Sequence, residues 1–217
     1  MSILSMLQPA DLLTLLNCAL GFLAVLAAGK GLTHLGASLI LLAVIVDGMD
    51  GHLARMSGPG RLGAALDSLA DLVSFGVAPA FLAATSLGLP ATALPAALIY
   101  LLCGALRLAR FSLAPGGDRC FEGLPIPAAG IALASGALLG SQSLAVIFML
   151  LLSPLMASSI PYPKIRDMRA MSLLGMALMA SALLIMQQSF QAACFLIALI
   201  ILYIASPVVI RCPREER

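Results

Sequence analysis

Asp47, Asp50, Asp67 and Asp71 stand inside stretches otherwise apolar enough to lie in lipid. The first pair sits in Asp47-Gly48-Met49-Asp50-Gly51-His52-Leu53-Ala54-Arg55, the second in Gly63-Ala64-Ala65-Leu66-Asp67-Ser68-Leu69-Ala70-Asp71. An ionisable side chain at the centre of a membrane span costs about 2.5–3.5 kcal/mol even on a lenient scale, so four of them call for a partner charge or a task. Spacings of i,i+3 and i,i+4 put each pair on one face of its own helix. The turn Ser57-Gly58-Pro59-Gly60 between them is short and rich in breakers, which makes the two helices antiparallel neighbours. The pairs then converge, and convergent carboxylates repel unless a divalent cation, or two, lies between them. All-oxygen ligation favours hard ions, Mg²⁺ or Mn²⁺ with Ca²⁺ as a third candidate. Arg55 adds a cation suited to bidentate contact with phosphate. Gly51 and Ala54 leave room for a flat or phosphorylated ligand, close helix packing being the other use of such small residues. Paired metals beside an arginine form a cradle for a diphosphate and can clamp both oxygens of a phosphoryl transfer.

The elements that hold these residues are membrane helices. At 217 residues, 61% hydrophobic, 10% charged and a mean hydropathy of +1.08, the chain is not a soluble globular domain. It reads as an all-α, polytopic membrane bundle with apolar runs at 10–28, 32–56, 62–87, 91–113, 126–140, 143–160, 171–187 and 191–209. The break at Ser141-Gln142-Ser143 is the weakest boundary, leaving either two helices or one bent helix. With eight spans, every Lys and Arg except Lys30 falls on one side. The positive-inside rule makes that side, and the acids with it, cytoplasmic. No signal peptide is expected, since Met1–Pro9 has no basic region and no small-residue cleavage site precedes Asp11. No repeat or polar linker divides the chain, so residues 1–217 read as one domain. Cys18, Cys103, Cys120, Cys194 and Cys212 are scattered and read as small hydrophobes or free thiols rather than a disulfide or zinc framework. No nucleic-acid partner is expected, and a homodimer is left open.

Other polar residues extend the site. Thr14 and Asn17 share a face of the first helix, able to hydrogen-bond a nucleotide and its phosphates or a neighbouring helix. Arg107 and Arg110, i,i+3 on the fourth helix, can offer guanidiniums to a diphosphate or a substrate carboxylate, or snorkel to headgroups. Gly123, Pro125 and Pro127 keep the segment from Phe121 irregular, and irregular backbone at membrane depth is tolerated mainly where it lines a cavity. That gives the segment a place in an acceptor pocket, with a plain proline helix entry as the alternative. Lys164 suits either the acceptor or topological anchoring.

Taken together, Asp47-x2-Asp50-Gly51-x2-Ala54-Arg55-x7-Gly63-x3-Asp67-x3-Asp71 resembles the signature of the CDP-alcohol phosphatidyltransferase family. The resemblance implies transfer of a phosphatidyl group from a CDP-linked lipid to an alcohol with release of CMP. It implies that Asp47, Asp50, Asp67 and Asp71 bind two metals and that Asp71 is also the general base. It further implies that Gly51, Ala54, Arg55 and Gly63 shape the nucleotide-diphosphate site. Leu12–Phe22, Arg107-Leu108-Ala109-Arg110-Phe111, Phe121–Ala129 and Ile160–Lys164 are similar to the phosphatidylserine synthases within that family. This implies L-serine as the acceptor and CDP-diacylglycerol, or a CDP-archaeol type of lipid, as the donor. Ser112 and His52 depart from the pattern without touching the signature positions. The same chemistry with glycerol phosphate or an inositol phosphate is the alternative. A cation transporter is the remote one, disfavoured because no matching acidic pair stands in the second half.

Overall fold

A computed structural model of the protein describes residues 7–57, 62–86, 88, 93–113, 120–163, 168–188 and 190–209. Among these are eight helical bodies: α1 Pro9–Gly29, α2 Thr33–Ser57, α3 Gly63–Thr85, α4 Ala93–Leu113, α5 Ile126–Leu138, α6 Gln142–Ala157, α7 Met168–Met186 and α8 Phe190–Val209. They fall on the runs read from the sequence. Five helices, α1 to α4 and α8, are long and apolar enough to cross a membrane, whereas α5, α6 and α7 contain shorter apolar stretches. The break near Ser141 is a true turn: α5 and α6 are separate helices joined through Gly140 at φ +67°.

Local chemistry explains the ends that matter. Pro9 opens α1 at a position whose N–H would be unpaired anyway, and Asp11 accepts the Gln8 N–H at 2.8 Å. At the other end Gly31, at φ +73°, lets Gly31 and Leu32 donate back to Ala28 and Ala27, closing the orphan carbonyls in a left-handed cap. α3 is α-helical over Gly63–Asp71, widens to a π-helix over Leu72–Val77, then resumes over Ala78–Thr85. The wide turn starts at the residue after Asp71, a placement common for π-bulges beside functional groups. Two hydrogen bonds tie the wide turn to its neighbours. The fully buried Tyr100 donates to Phe75 O at 2.9 Å, and Ser74 Oγ donates to Asn17 O at 2.8 Å.

Lipid supplies no hydrophobic drive between helices, so close packing at small residues must hold the bundle. Ala24 and Ala28 of α1 are buried, and Gly36 brings α2 against them, its Cβ position 3.4 Å from Ala24 O and 3.8 Å from Ala28 N. Gly21 brings α1 against α3, with its Cβ position 2.6 Å from Ser74 Cα. Gly130 of α5 likewise rests on the Phe75 backbone. Large apolar side chains such as Phe22, Leu26, Leu98, Leu102, Leu183 and Leu202 point outward, as lipid-facing positions do. One element departs from the all-helical expectation: β1 Cys120–Glu122 pairs antiparallel with β2 Pro161–Pro163, Phe121 opposite Tyr162. Cys18, Cys103 and Cys194 are free thiols as expected. Cys120 is disulfide-bonded, which corrects the reading of all five cysteines as unpaired.

Candidate active site

The polar residues collect at one end of the bundle because successive helices alternate in direction. The start of α1, the end of α2, the start of α3 and the end of α4 all lie there. From these four ends come Asp11, Thr14 and Asn17; Asp47 and Asp50; Asp67 and Asp71; and Arg107 and Arg110.

Asp47, Asp67 and Asp71 each offer a carboxylate oxygen, all within 4.8 Å of one another. Asp47 and Asp71 touch side chain to side chain across α2 and α3. Two carboxylates at that distance in a low-dielectric interior need a proton or a cation between them. Asp50, 3% exposed, turns toward α1, where it meets the Thr14 hydroxyl and the charge of Asp11, while Asp47 and Asp67 still feel its own charge. Three acids therefore share one ligand position and the fourth flanks it. Asp50 Oδ2 and Asp71 Oδ1 are buried without a hydrogen-bond partner. Unsatisfied buried carboxylate oxygens beside an all-oxygen donor set fit a hard divalent cation.

The first helix supplies the remaining wall. Thr14 Oγ1 donates to Ala10 O at 3.2 Å, and Asn17 is fully buried with both amide atoms unpartnered. Gly63 opens α3 with its Cβ position 3.4 Å from Asp11 Oδ1, while Gly51 and Ala54 are half-buried on α2. Asp11 was not among the residues expected here. Its signal was available: an acid i,i+3 from Thr14 on the same apolar helix. Its place one turn into the helix makes it look only like a capping residue, and it is that as well.

Arg107 is buried, and its guanidinium is the described cation whose charge reaches both Asp47 and Asp71. Its Cζ lies 5.9 Å from the Phe111 ring centroid and 5.7 Å from that of Phe121, and its Nε has no partner. Arg110, expected in the same role, reaches backbone carbonyls of Glu122, Met156, Ala157 and Ser158 instead. Gly123 takes φ +78°, and Pro125 caps α5 at φ −58° and ψ 136°, so Gly123–Pro125 is non-helical as read, while Phe121 and Glu122 form part of β1 instead of irregular backbone. The Arg55 side chain and Lys164 lie outside the described residues.

Comparison with known proteins shows the family. The family model described as CDP-alcohol phosphatidyltransferase matches residues 7–158. The chain is 39% identical over 174 residues to an archaetidylserine synthase of Methanothermobacter thermautotrophicus, covering 77% of this chain and 75% of that one. It is 42% identical over 165 residues to a CDP-diacylglycerol–serine O-phosphatidyltransferase of Methanocaldococcus jannaschii, covering 75% and 77%. A Bacillus subtilis protein of the same name is 34% identical over 165 residues, covering 75% and 93%. The matched region holds Asp11, Asp47, Asp50, Asp67 and Asp71 together with Arg55, Arg107 and Arg110, and with that extent the chain belongs to the CDP-alcohol phosphatidyltransferase family.

Proposed function

We propose that the protein transfers a phosphatidyl-type group from a CDP-linked lipid to the hydroxyl of L-serine, releasing CMP. The observation that carries this reading is the Asp47–Asp67–Asp71 cluster with the Arg107 guanidinium beside it. Relatives named for serine as acceptor match across three-quarters of the chain and support the choice of alcohol.

Each residue has a physical task on this reading. Thr14 and Asn17 line the α1 side, where an unsatisfied amide and a hydroxyl can hydrogen-bond the nucleotide or its phosphates. Gly51, Ala54 and Gly63 leave space between α2 and α3 for the nucleotide, and Arg55 contributes a cation for the diphosphate. Asp47, Asp50, Asp67 and Asp71 would hold two divalent ions, Mg²⁺ or Mn²⁺, which neutralise the diphosphate and the charge left on CMP. Arg107 faces the acids with an open Nε and can take the serine carboxylate. Gly123 and Pro125 shape the same acceptor side, joined by Lys164. Asp71 accepts the serine hydroxyl proton on its unpartnered Oδ1. The serine oxygen then bonds to the lipid-linked phosphorus as the bond to CMP breaks, and the electron pair leaves on the CMP phosphate. No covalent enzyme intermediate is required.

CMP release from CDP-diacylglycerol or CDP-archaeol is expected with L-serine, and not with glycerol phosphate, inositol phosphate or choline. Turnover with one of those alcohols and not with serine would overturn the acceptor. Dialysis against EDTA should abolish release, with Mg²⁺ or Mn²⁺ restoring it; activity that survives chelation would remove the metal role from the four acids.

The same reading puts the site on the cytoplasmic face: if the chain crosses the membrane eight times, every Lys and Arg except Lys30 falls on the side of the acids, the side that the positive-inside rule makes cytoplasmic. A single cysteine introduced at Ser57 in an otherwise cysteine-free variant should react with an impermeant thiol reagent only in inverted vesicles. Labelling in right-side-out cells alone would reverse the orientation.

A further inference from the structure

Arg107 and Arg110 share a helix face, yet their guanidiniums go to different places. Arg110 Nη2 donates to Glu122 O and Ser158 O, each at 2.8 Å, and to Met156 O at 3.3 Å; Nη1 donates to Ala157 O at 3.3 Å. Three of those carbonyls close the C-terminal end of α6, where helix carbonyls lack partners and a cation is favoured. The fourth belongs to β1. One side chain on α4 thus ties the ribbon to the end of α6.

The crossing is close enough to constrain the backbone. A Cβ on Gly123 would collide with Met156 O and lie 2.8 Å from both Arg110 Nη2 and Ser158 O, at φ +78°. Gly123 N–H donates to Ile160 O at 2.8 Å and Leu124 N–H to Leu155 O at 3.0 Å. Tyr162, opposite Phe121, is buried and stacked 5.7 Å from Tyr203, whose hydroxyl donates to Pro163 O at 3.2 Å. The outcome of this scaffolding is the Phe121 ring against Arg107, the cation facing the acids.

We propose that Arg110 is a positioning residue: it latches the β1–β2 ribbon to the end of α6 and so holds Phe121 against Arg107 on the acceptor side of the site. It contacts no substrate. The inference rests on the proposed activity only for its kinetic readout, and its structural readout stands apart from which alcohol is used.

The test compares Arg110→Ala, Arg110→Lys and Gly123→Ala with the wild-type enzyme in bilayer discs, the Cys120 disulfide reduced in every sample. Amide hydrogen exchange at Gly123 and Leu124 reads the latch (Leu124 alone for the first residue's own variant, if its peptide is lost). KM for the acceptor and for CDP-lipid, measured by CMP release with whichever alcohol proves active, reads the site. Losing charge-assisted bonds from one hub should speed exchange at least about tenfold in all three variants. Acceptor KM should rise about tenfold as well, with the KM for CDP-lipid held within about twofold. Lysine should fail like alanine, because one ammonium cannot span four carbonyls on two segments. A raised acceptor KM with wild-type exchange would make Arg110 a substrate ligand and overturn the proposal. Wild-type exchange and kinetics in Arg110→Lys or in Gly123→Ala would overturn it too. Should Arg110→Ala fail to fold, the other two variants decide by the same criteria.

Discussion

Asp71→Asn should lower CMP release by about 10²–10⁴-fold, the usual contribution of a positioned general base, while CDP-lipid binding survives. Asparagine keeps the shape of the side chain and one oxygen able to ligate a cation, and removes the capacity to take a proton at pH 7. The structure motivates the separation. Asp71 touches Asp47 with its side chain, yet its Oδ1 is left buried and unpartnered. The measurement is single-turnover CMP release set beside equilibrium binding of the CDP-lipid. Full turnover in the variant would end the base role. Parallel loss of binding and turnover would reassign Asp71 to holding cations alone.

Gly21→Ala is the second large effect, and it acts through a helix–helix contact rather than at a residue given a part in binding. The added methyl would clash with Ser74 Oγ and stand 2.6 Å from Ser74 Cα. Ser74 Oγ can rotate away, but a backbone atom cannot, so α1 and α3 must part by roughly an ångström to reach ordinary contact. Overpacking of this kind costs about 1–3 kcal/mol. It also pulls on the Ser74–Asn17 hydrogen bond, and one turn beyond lies Thr14 against Asp50. The expected result is a lowered unfolding temperature, by about 2–4 °C per kcal/mol for a chain of this size, together with clearly reduced turnover. Gly29→Ala on the same helix is the control, because its Cβ position meets only Phe81 Cε1, at 3.8 Å. Equal behaviour of the two variants would show that the α1–α3 approach does not set the site.

The acids, their pairing by helix and the irregular Gly123–Pro125 segment were legible in the sequence because they depend on local rules. Charge in an apolar run, helical spacing and the backbone limits of glycine and proline need no knowledge of distant neighbours. The helix boundaries were legible for the same reason. What was not legible depends on contacts between distant segments. Asp50 turns from the other three acids because α1 presents Thr14 to it. Arg110 looks interchangeable with Arg107 until the end of α6, nearly fifty residues later, comes to rest beneath it. The β1–β2 ribbon is three residues on each side, and prolines at 161 and 163 mark its second strand as a break rather than a strand. The π-turn carries no proline or glycine signal at its start; it follows from how Ser74 and Phe75 find partners on α1 and α4.

The acids lie seven to ten residues before Ser57 on α2 and four to eight residues after Gly63 on α3. At 1.5 Å per residue that sets them roughly 6–15 Å in from the helix ends, nearer that end of each helix than the other. On the proposed reading, the two substrates then reach the same phosphorus from reservoirs of different dimension. The lipid arrives by lateral diffusion and never leaves its leaflet, so the enzyme senses its mole fraction in the membrane. Serine arrives from the bulk, and CMP departs into it. Diluting the donor with inert lipid should therefore slow turnover as effectively as removing it, whereas enlarging the aqueous volume at fixed serine concentration should leave the rate unchanged.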